Sequence, residues 1–405
     1  TDVGLPSPDT LVHKYPWQLS GGQRQRVMIA IALAADPALV IADEPTTALD
    51  VTTQAQILRL LREMQARRNL GLLLITHDFG VVSEMADEVA VLKDGRLIEH
   101  GPRDAVLRDP QQDYTRRLLA AVPPLTPRTL RTPTEPLLAA TGLGKTWHTR
   151  GGLWRRGTST HAVADVALTV GRGETVAVVG ESGSGKSTLA RLLVRLTDAD
   201  HGTARLEGLG EDYLALPAHA LAPLRRAVQM VFQDPFASLN PRHTVGESIA
   251  MGPIANGTPR AQALDEARAL LARVKVDPKA ADRYPNEFSG GQRQRIVIAR
   301  ALAMHPRLLV ADEPVSALDV SVQAEILELL EEIQARDGVG MVFITHDLRV
   351  ASRMADRILV MSKGRVVEQG DARALLTDPQ HPYTCELLAA VPRIETTPAQ
   401  ARGHD

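Results

Sequence analysis

Short apolar runs separated by polar turns dominate the second half of the chain. Arg307-Leu-Leu-Val-Ala-Asp312 and Gly340-Met-Val-Phe-Ile-Thr345 are nearly continuous in apolar residues and too short for helices, which predicts strands buried on both faces. Between them, Val322 to Arg336 sets Ile326, Leu329, Leu330 and Ile333 at helical spacing. Strand, helix, strand of this kind predicts the βαβ unit of a parallel sheet, and hence an α/β fold. Ile358 to Glu368 predicts a hairpin turning at Lys363-Gly364. Further upstream, Thr175 to Val179 predicts a strand and Leu189 to Leu196 an amphipathic helix.

The same pattern occurs twice. Tyr15 to Pro123 aligns with Tyr284 to Pro392 at a constant offset of 269, without a gap, and 62 of the 109 positions are identical. Two unrelated segments would not hold register over that length, so a duplicated domain is expected. The copies differ in what precedes them: Pro136 to Arg283 ahead of the second, only 14 residues ahead of the first. By the offset, a full first copy needs roughly 134 residues before Thr1. The chain also begins at Thr1 rather than Met. The expectation is a fragment of a tandem protein of about 540 residues. Its first copy would then expose apolar surface and unpaired sheet edges. Residues 124–135, rich in Pro and Thr, predict an extended linker.

Composition narrows the classes. Lys plus Arg total 46 and Asp plus Glu 48, a net charge of -2, so no nucleic-acid partner is expected. Hydrophobic residues at 44% suffice for packed cores. One cysteine, Cys385, excludes a disulfide framework, and the 12 histidines show no metal spacing. The most apolar stretch, Val27 to Ala42, is interrupted by Asp36 and Pro37 and is too short to span a bilayer. No secretory signal pattern opens the chain, which suggests a soluble cytoplasmic protein.

Gly180-Glu181-Ser182-Gly183-Ser184-Gly185-Lys186-Ser187, followed by Thr188, fits G-x-x-x-x-G-K-[ST] between a predicted strand and helix. Glycines let backbone N–H groups turn onto phosphate oxygens, and the helix N-terminus adds a favourable dipole. Lys186 would neutralise the β- and γ-phosphates and the Ser187 hydroxyl would coordinate Mg²⁺. Downstream, Asp312 closes an apolar strand, where a carboxylate can hold Mg²⁺, and Glu313 is placed to orient or deprotonate a water. Ser20-Gly21-Gly22-Gln23 and Ser289-Gly290-Gly291-Gln292 each read as an N-cap followed by glycines that permit close approach of an anion to a helix start, the first helix running to Ala35.

These motifs together resemble ABC-type ATPases, the nucleotide-binding subunits of ABC transporters, whose signature matches Leu19 to Arg26 and Ser289 to Arg295, with Phe288 where Leu is usual. The resemblance implies a P-loop NTPase of ABC type, a parallel-sheet core with a helical subdomain, using ATP and Mg²⁺. One copy would be incomplete and one complete: 1–123 as the C-terminal part of a first ATPase domain, 136–405 as a whole second one. It implies that Gln233 is the loop glutamine touching Mg²⁺, Asp319 a dimer-contact residue and His346 the switch histidine. Trp147 is the aromatic that would stack on adenine, a core or surface tryptophan being the competing reading. ATP would be sandwiched between the second copy's phosphate loop and Ser20 to Gln23, closing the two copies on each other. The reciprocal site has Ser289 to Gln292, Asp43, Glu44 and His77 but no phosphate loop, so Glu44 and His77 are catalytic only if another segment holds nucleotide.

The tails Asp378-Pro-Gln-His-Pro-Tyr-Thr384 with Leu387 to Pro392, and Asp109 to Thr115 with Leu118 to Pro123, resemble those of oligopeptide, dipeptide and nickel importer ATPases. Gln112-Asp113 replaces His-Pro in the first. The branch implies two transmembrane permease subunits, an extracytoplasmic solute-binding protein and a peripheral place on the cytoplasmic face of the cell membrane. Two other classes stay open: a soluble tandem ABC ATPase acting on ribosomes, and a non-catalytic ATP-binding regulatory module.

Overall fold

The computed structural model describes residues 3–5, 7–46, 49–127, 135–149, 158–210, 212–316 and 318–391. Most of the linker, 128–134, and the last tail position, Pro392, lie outside them. The chain divides into two compact units, the first built chiefly from residues up to Val122, the second from Pro123 to Leu318 and Val322 to Cys385.

The first unit contains, in order, α1 (Gly21–Leu33), β1 (Leu39–Asp43), α2 (Val51–Arg68), β2 (Gly71–Ile75), α3 (Phe79–Met85), β3 (Glu88–Lys93), β4 (Arg96–Pro102), α4 (Arg103–Arg108) and α5 (Asp113–Ala121). β1 and β2 pair in parallel, and β3 and β4 form a hairpin. α2 turns Ile57, Leu61 and Met64 onto a small core with Ile29 and Leu33 of α1. α1 ends at Leu33, two residues short of Ala35: Asp36 takes φ 48°, and the Arg68 guanidinium donates to Leu33 O at 3.1 Å, satisfying a terminal carbonyl.

In the second unit the strands are β5 (Pro136–Thr149), β6 (Thr158–Gly171), β7 (Thr175–Val179), β8 (His201–Leu206), β9 (Val228–Val231), β10 (Leu308–Asp312), β11 (Gly340–Ile344), β12 (Arg357–Ser362) and β13 (Arg365–Asp371). Its principal helices are α6 (Lys186–Leu193), α7 (Ala222–Ala227), α8 (Val245–Ala255), α9 (Arg260–Arg273), α10 (Gly290–Leu302), α11 (Val320–Asp337), α12 (Leu348–Met354), α13 (Ala372–Thr377) and α14 (Pro382–Ala389). Six strands form one sheet in the order β13-β12-β7-β11-β10-β9, parallel except at the β12–β13 hairpin. That hairpin turns at Lys363 (φ 49°) and Gly364 (φ 81°), the left-handed pair a two-residue turn needs.

Alternation along the strands divides two cores. Leu309, Ala311, Met341 and Phe343 pack with α8 to α11, the expected helical layer. Leu308, Val310, Val342, Ile344, Val176 and Val178 pack with α6 and a three-stranded antiparallel sheet, β6-β5-β8. That second sheet was not legible in the sequence pattern. The helix after the glycine-rich loop starts at Lys186 and ends at Leu193, earlier than the predicted Leu189 to Leu196. Arg195 turns left-handed (φ 57°), and Leu196 is exposed.

The repeat positions of the first unit are differently solvated. Leu39, Ile41, Leu73 and Ile75 are 56%, 62%, 50% and 48% exposed, whereas Leu308, Val310, Val342 and Ile344 are 0% exposed. Among the described residues β1 and β2 pair only with each other. In the second unit β7 lies between β11 and β12 and, with α6, covers the corresponding face. The first unit thus carries an exposed apolar face on β1 and β2.

Candidate active site

β7 delivers the glycine-rich loop at its C-terminal end. Gly180 has φ 148° and a Cβ there would lie 2.2 Å from Met361 O; Gly185 has φ 105° and a Cβ would lie 2.1 Å from Ala162 O. Only glycine fits either place, because the backbones of β12 and β6 press directly on the loop. Gly364 N–H donates to Ser184 O at 2.9 Å, so the β12–β13 turn also grips it. Lys186 begins α6, is buried, and donates to Gly180 O (2.7 Å) and Glu181 O (2.8 Å), drawing the loop around its ammonium.

β10 brings Asp312 beside the loop: the Ser187 hydroxyl donates to Asp312 Oδ1 at 3.1 Å. Burial pushes the Asp312 carboxyl up; the Ser187 hydrogen bond opposes this, and the neighbouring Glu313 charge adds to it. Glu313 sits at φ 46°, a left-handed conformation uncommon for a carboxylic side chain, with its N–H bonded to Ile344 O at 3.0 Å. This turn sends its carboxylate between two partners: Gln233 Nε2 donates to Oε2 at 2.9 Å, and His346 Nδ1 lies 3.3 Å from Oε1. Burial opposes ionisation of Glu313, yet the hydrogen bond and charge of His346, with Lys186 nearby, hold the carboxyl below its usual range. Burial likewise disfavours the imidazolium, yet the Glu313 hydrogen bond and charge, with Asp347, hold His346 above its ordinary value. Asp347 itself caps α12 at the Arg349 N–H (2.8 Å), fixing the turn that carries His346.

Lys186, Ser187, Gln233, Asp312, Glu313 and His346 therefore lie together at the C-terminal ends of β7, β9, β10 and β11. The two Ser-Gly-Gly-Gln turns form local arrangements of their own. Ser20 Oγ accepts the Gln23 N–H at 3.2 Å and Ser289 Oγ the Gln292 N–H at 3.4 Å, each closed by the glutamine into a capping box. The second glycine has a packing reason that sequence reasoning missed. A Cβ on Gly22 would lie 2.5 Å from Thr53 Cγ2, and one on Gly291 2.3 Å from Val322 Cγ1, so these helices approach through glycine. In the first unit Glu44 repeats the turn of Glu313 (φ 47°), and His77 Nδ1 lies 2.7 Å from Glu44 Oε1. Asp43 closes β1 ahead of it, and Asp319 immediately precedes α11. Trp147 lies on β5, 47% exposed, with Lys145 Nζ 5.3 Å from its ring centroid.

Nucleotide and metal fit this arrangement. Ser184 Oγ is buried in the loop and has no hydrogen-bond partner among the described residues, which leaves a donor for an anion. Ser187 and Asp312 offer the hard oxygen donors that Mg²⁺ takes.

A parallel sheet whose glycine-rich loop opens a helix, joined to Asp-Glu and His at neighbouring strand ends, defines a P-loop nucleotide triphosphatase. With signature turns ahead of both Asp-Glu-Pro segments, it is of the ABC type. The family model for ABC transporters matches residues 1–47 and 163–316, and that for the oligopeptide/dipeptide transporter C-terminal region matches 98–151 and 367–404. The chain is 47% identical over 421 residues to the glutathione import ATP-binding protein GsiA of Escherichia coli O157:H7, covering 97% of this chain and 67% of that protein. It is 46% identical over 420 residues to GsiA of Salmonella paratyphi A, covering 96% of this chain and 67% of the relative. Among solved structures, the dimeric ATP-binding cassette MJ0796 in a post-hydrolysis state bound to ADP and phosphate aligns with a TM-score of 0.51 at 30% identity, covering 58% of this chain and 99% of the cassette. The chain belongs to the ATP-binding proteins of ABC importers, in the oligopeptide/dipeptide branch, and is an ATPase. This favours the importer reading over the ribosome-acting and regulatory ones.

Proposed function

We propose that the second unit binds one MgATP at residues 180–188 and hydrolyses it to drive import of glutathione or a similar short peptide. The observation that supports this most is the Gln233–Glu313–His346 cluster beside the Ser187–Asp312 pair. In this reading, loop N–H groups and Lys186 hold the phosphates, and Trp147 stacks on adenine. Ser187, Asp312 and Gln233 would hold Mg²⁺, which when bound neutralises charge on the β- and γ-phosphates. Glu313, kept ionised by His346, takes a proton from water as the water oxygen bonds to the γ-phosphorus and the bond to ADP breaks. His346 hydrogen-bonds the departing phosphoryl oxygens and stabilises the negative charge on them.

The first unit is the rear portion of a second cassette. Its Ser20, Gly21, Gly22 and Gln23, like Ser289, Gly290, Gly291 and Gln292 of the second unit, form signature turns suited to approach the phosphates of a nucleotide. Asp43, Glu44 and His77 act on nucleotide only where a phosphate loop is supplied. No helix among the described residues is long and apolar enough to cross a membrane, so transport requires permease subunits. Two such subunits, a peripheral site on the cytoplasmic face and an extracytoplasmic solute-binding protein complete the proposal. The peptide class is supported by the GsiA relatives, which are named for glutathione import. The test is ATP-dependent uptake of labelled glutathione by vesicles carrying this ATPase with its permease partners. Uptake that competing short peptides inhibit is expected. ATP hydrolysis that no peptide stimulates, with no uptake, rejects the assignment.

A further inference from the structure

The tail of the second unit reaches the phosphate loop. Glu368 on β13 accepts the N–H groups of Gln380 (2.8 Å) and His381 (3.1 Å) on its two carboxylate oxygens. His381 Nδ1 accepts the Tyr383 N–H at 3.1 Å, and His381 O accepts those of Thr384 and Cys385 as α14 begins. The turn ahead of α14 is therefore pinned to the sheet, with Tyr383 at its end. The phenol oxygen of Tyr383 accepts the backbone N–H of Glu181 at 3.0 Å. Glu181 is the second residue of the glycine-rich loop, and 202 positions separate it from Tyr383 in sequence.

We propose that Tyr383 is a positioning residue of the nucleotide site, through which the tail sets the affinity for ATP. This rests on the reading that ATP binds at residues 180–188. The loop holds its shape with Gly180, Gly183 and Gly185 at φ 148°, 79° and 105°, and glycines lose more conformational freedom on ordering than any other residue. Lys186 ties the loop from within, Gly364 holds Ser184 O, and Tyr383 fixes the one peptide N–H between Gly180 and Glu181. Each external bond removes freedom that phosphate binding would otherwise have to remove. Tyr383 acts through Glu181.

The first copy supplies the internal comparison. Glu99 accepts the N–H groups of Gln111 (2.8 Å) and Gln112 (3.3 Å), the same clamp at the repeat positions. Tyr114, the counterpart of Tyr383, has its ring 4.9 Å from Lys93 Nζ. The tail clamp is thus built twice, and in the second unit its tyrosine is bonded to a phosphate loop.

The test is Tyr383→Phe, which keeps the ring and removes the acceptor. ATP affinity by equilibrium titration should weaken about three- to tenfold, the range expected for one neutral hydrogen bond. KM for ATP should rise in parallel, with kcat within about twofold, while the melting temperature without nucleotide stays within a few degrees. Deuterium exchange in a peptide spanning Glu181 should quicken. Tyr114→Phe should leave all of these unchanged. Lys186→Ala identifies the site itself: if it leaves ATP affinity intact, the nucleotide reading fails. If Lys186→Ala abolishes binding while Tyr383→Phe binds as tightly and exchanges as slowly as the parent, the positioning role alone fails. Should Tyr383→Phe fold poorly, Glu368→Gln loosens the same turn without touching the ring. Unchanged ATP affinity in that variant overturns the proposal.

Discussion

Replacing Glu313 by Gln removes one charge from the centre of the site and little else. Gln is isosteric, and its side-chain oxygen can still accept from Gln233 Nε2, now at 2.9 Å from the carboxylate. The loop, Ser187 and Asp312 keep their contacts, so ATP affinity should change by less than about threefold. What is lost is the proton acceptor, and positioned general bases contribute about 10²–10⁴-fold, so kcat for phosphate release should fall by that factor. The same change has a second readout. His346 is held above its ordinary value against the effect of burial, chiefly by Glu313. Without that charge, burial prevails, and the His346 titration followed by NMR should move to a lower pH. The sign is fixed by the pair. His346 contributes stability in full below its unfolded value of about 6.5, lost as pH rises through the raised folded value. Glu313 contributes above about 4.3, lost as pH falls through its lowered one. The pair's contribution is therefore complete between about pH 4.3 and 6.5, and the parent should progressively lose its advantage over the Gln variant on either side. A kcat within threefold of the parent, with His346 titrating where it did before, would refute the assigned roles.

Four further outcomes follow from packing and capping. Gly185→Ala places a Cβ 2.1 Å from Ala162 O at φ 105°, so MgATP titration should show more than tenfold weaker binding even where the protein folds. Leu73→Lys, on the exposed face of β2, should shift chemical denaturation by no more than about 0.5 kcal/mol and reduce light scattering. Its repeat counterpart Val342→Lys buries a charge in a full core and should unfold the second unit in the same assay. Ser20→Ala removes the acceptor of the Gln23 N–H and should cost the first unit about 1 kcal/mol in denaturant titration.

Much of the site was legible because its chemistry is local in sequence. The loop from Gly180 to Ser187, the Asp312-Glu313 pair and the caps at Ser20 and Ser289 each announce themselves within eight residues. The β10–α11–β11 unit was equally readable, since apolar runs and helical spacing report burial directly. What escaped depends on distant partners. The antiparallel β6-β5-β8 sheet has its register broken repeatedly between β5 and β6, which blurs any period-two pattern. The steric demand on Gly22 and Gly291 comes from the next helix, Thr53 and Val322, some thirty residues away. The left-handed turn at Glu313 had no composition signal, because its cause is the Ile344 carbonyl on a neighbouring strand. The Glu181–Tyr383 bond spans two motifs read separately; recurrence of the tyrosine at 114 and 383 was the available hint.

The central claim is that this chain carries a working phosphate loop at Gly180 to Thr188. Equilibrium titration of the chain with MgATP tests it most directly, comparing the parent with Lys186→Ala. One ATP per chain, with binding lost in the variant, is the predicted result. Undiminished binding in Lys186→Ala, or two equivalent ATP molecules per chain, would contradict it.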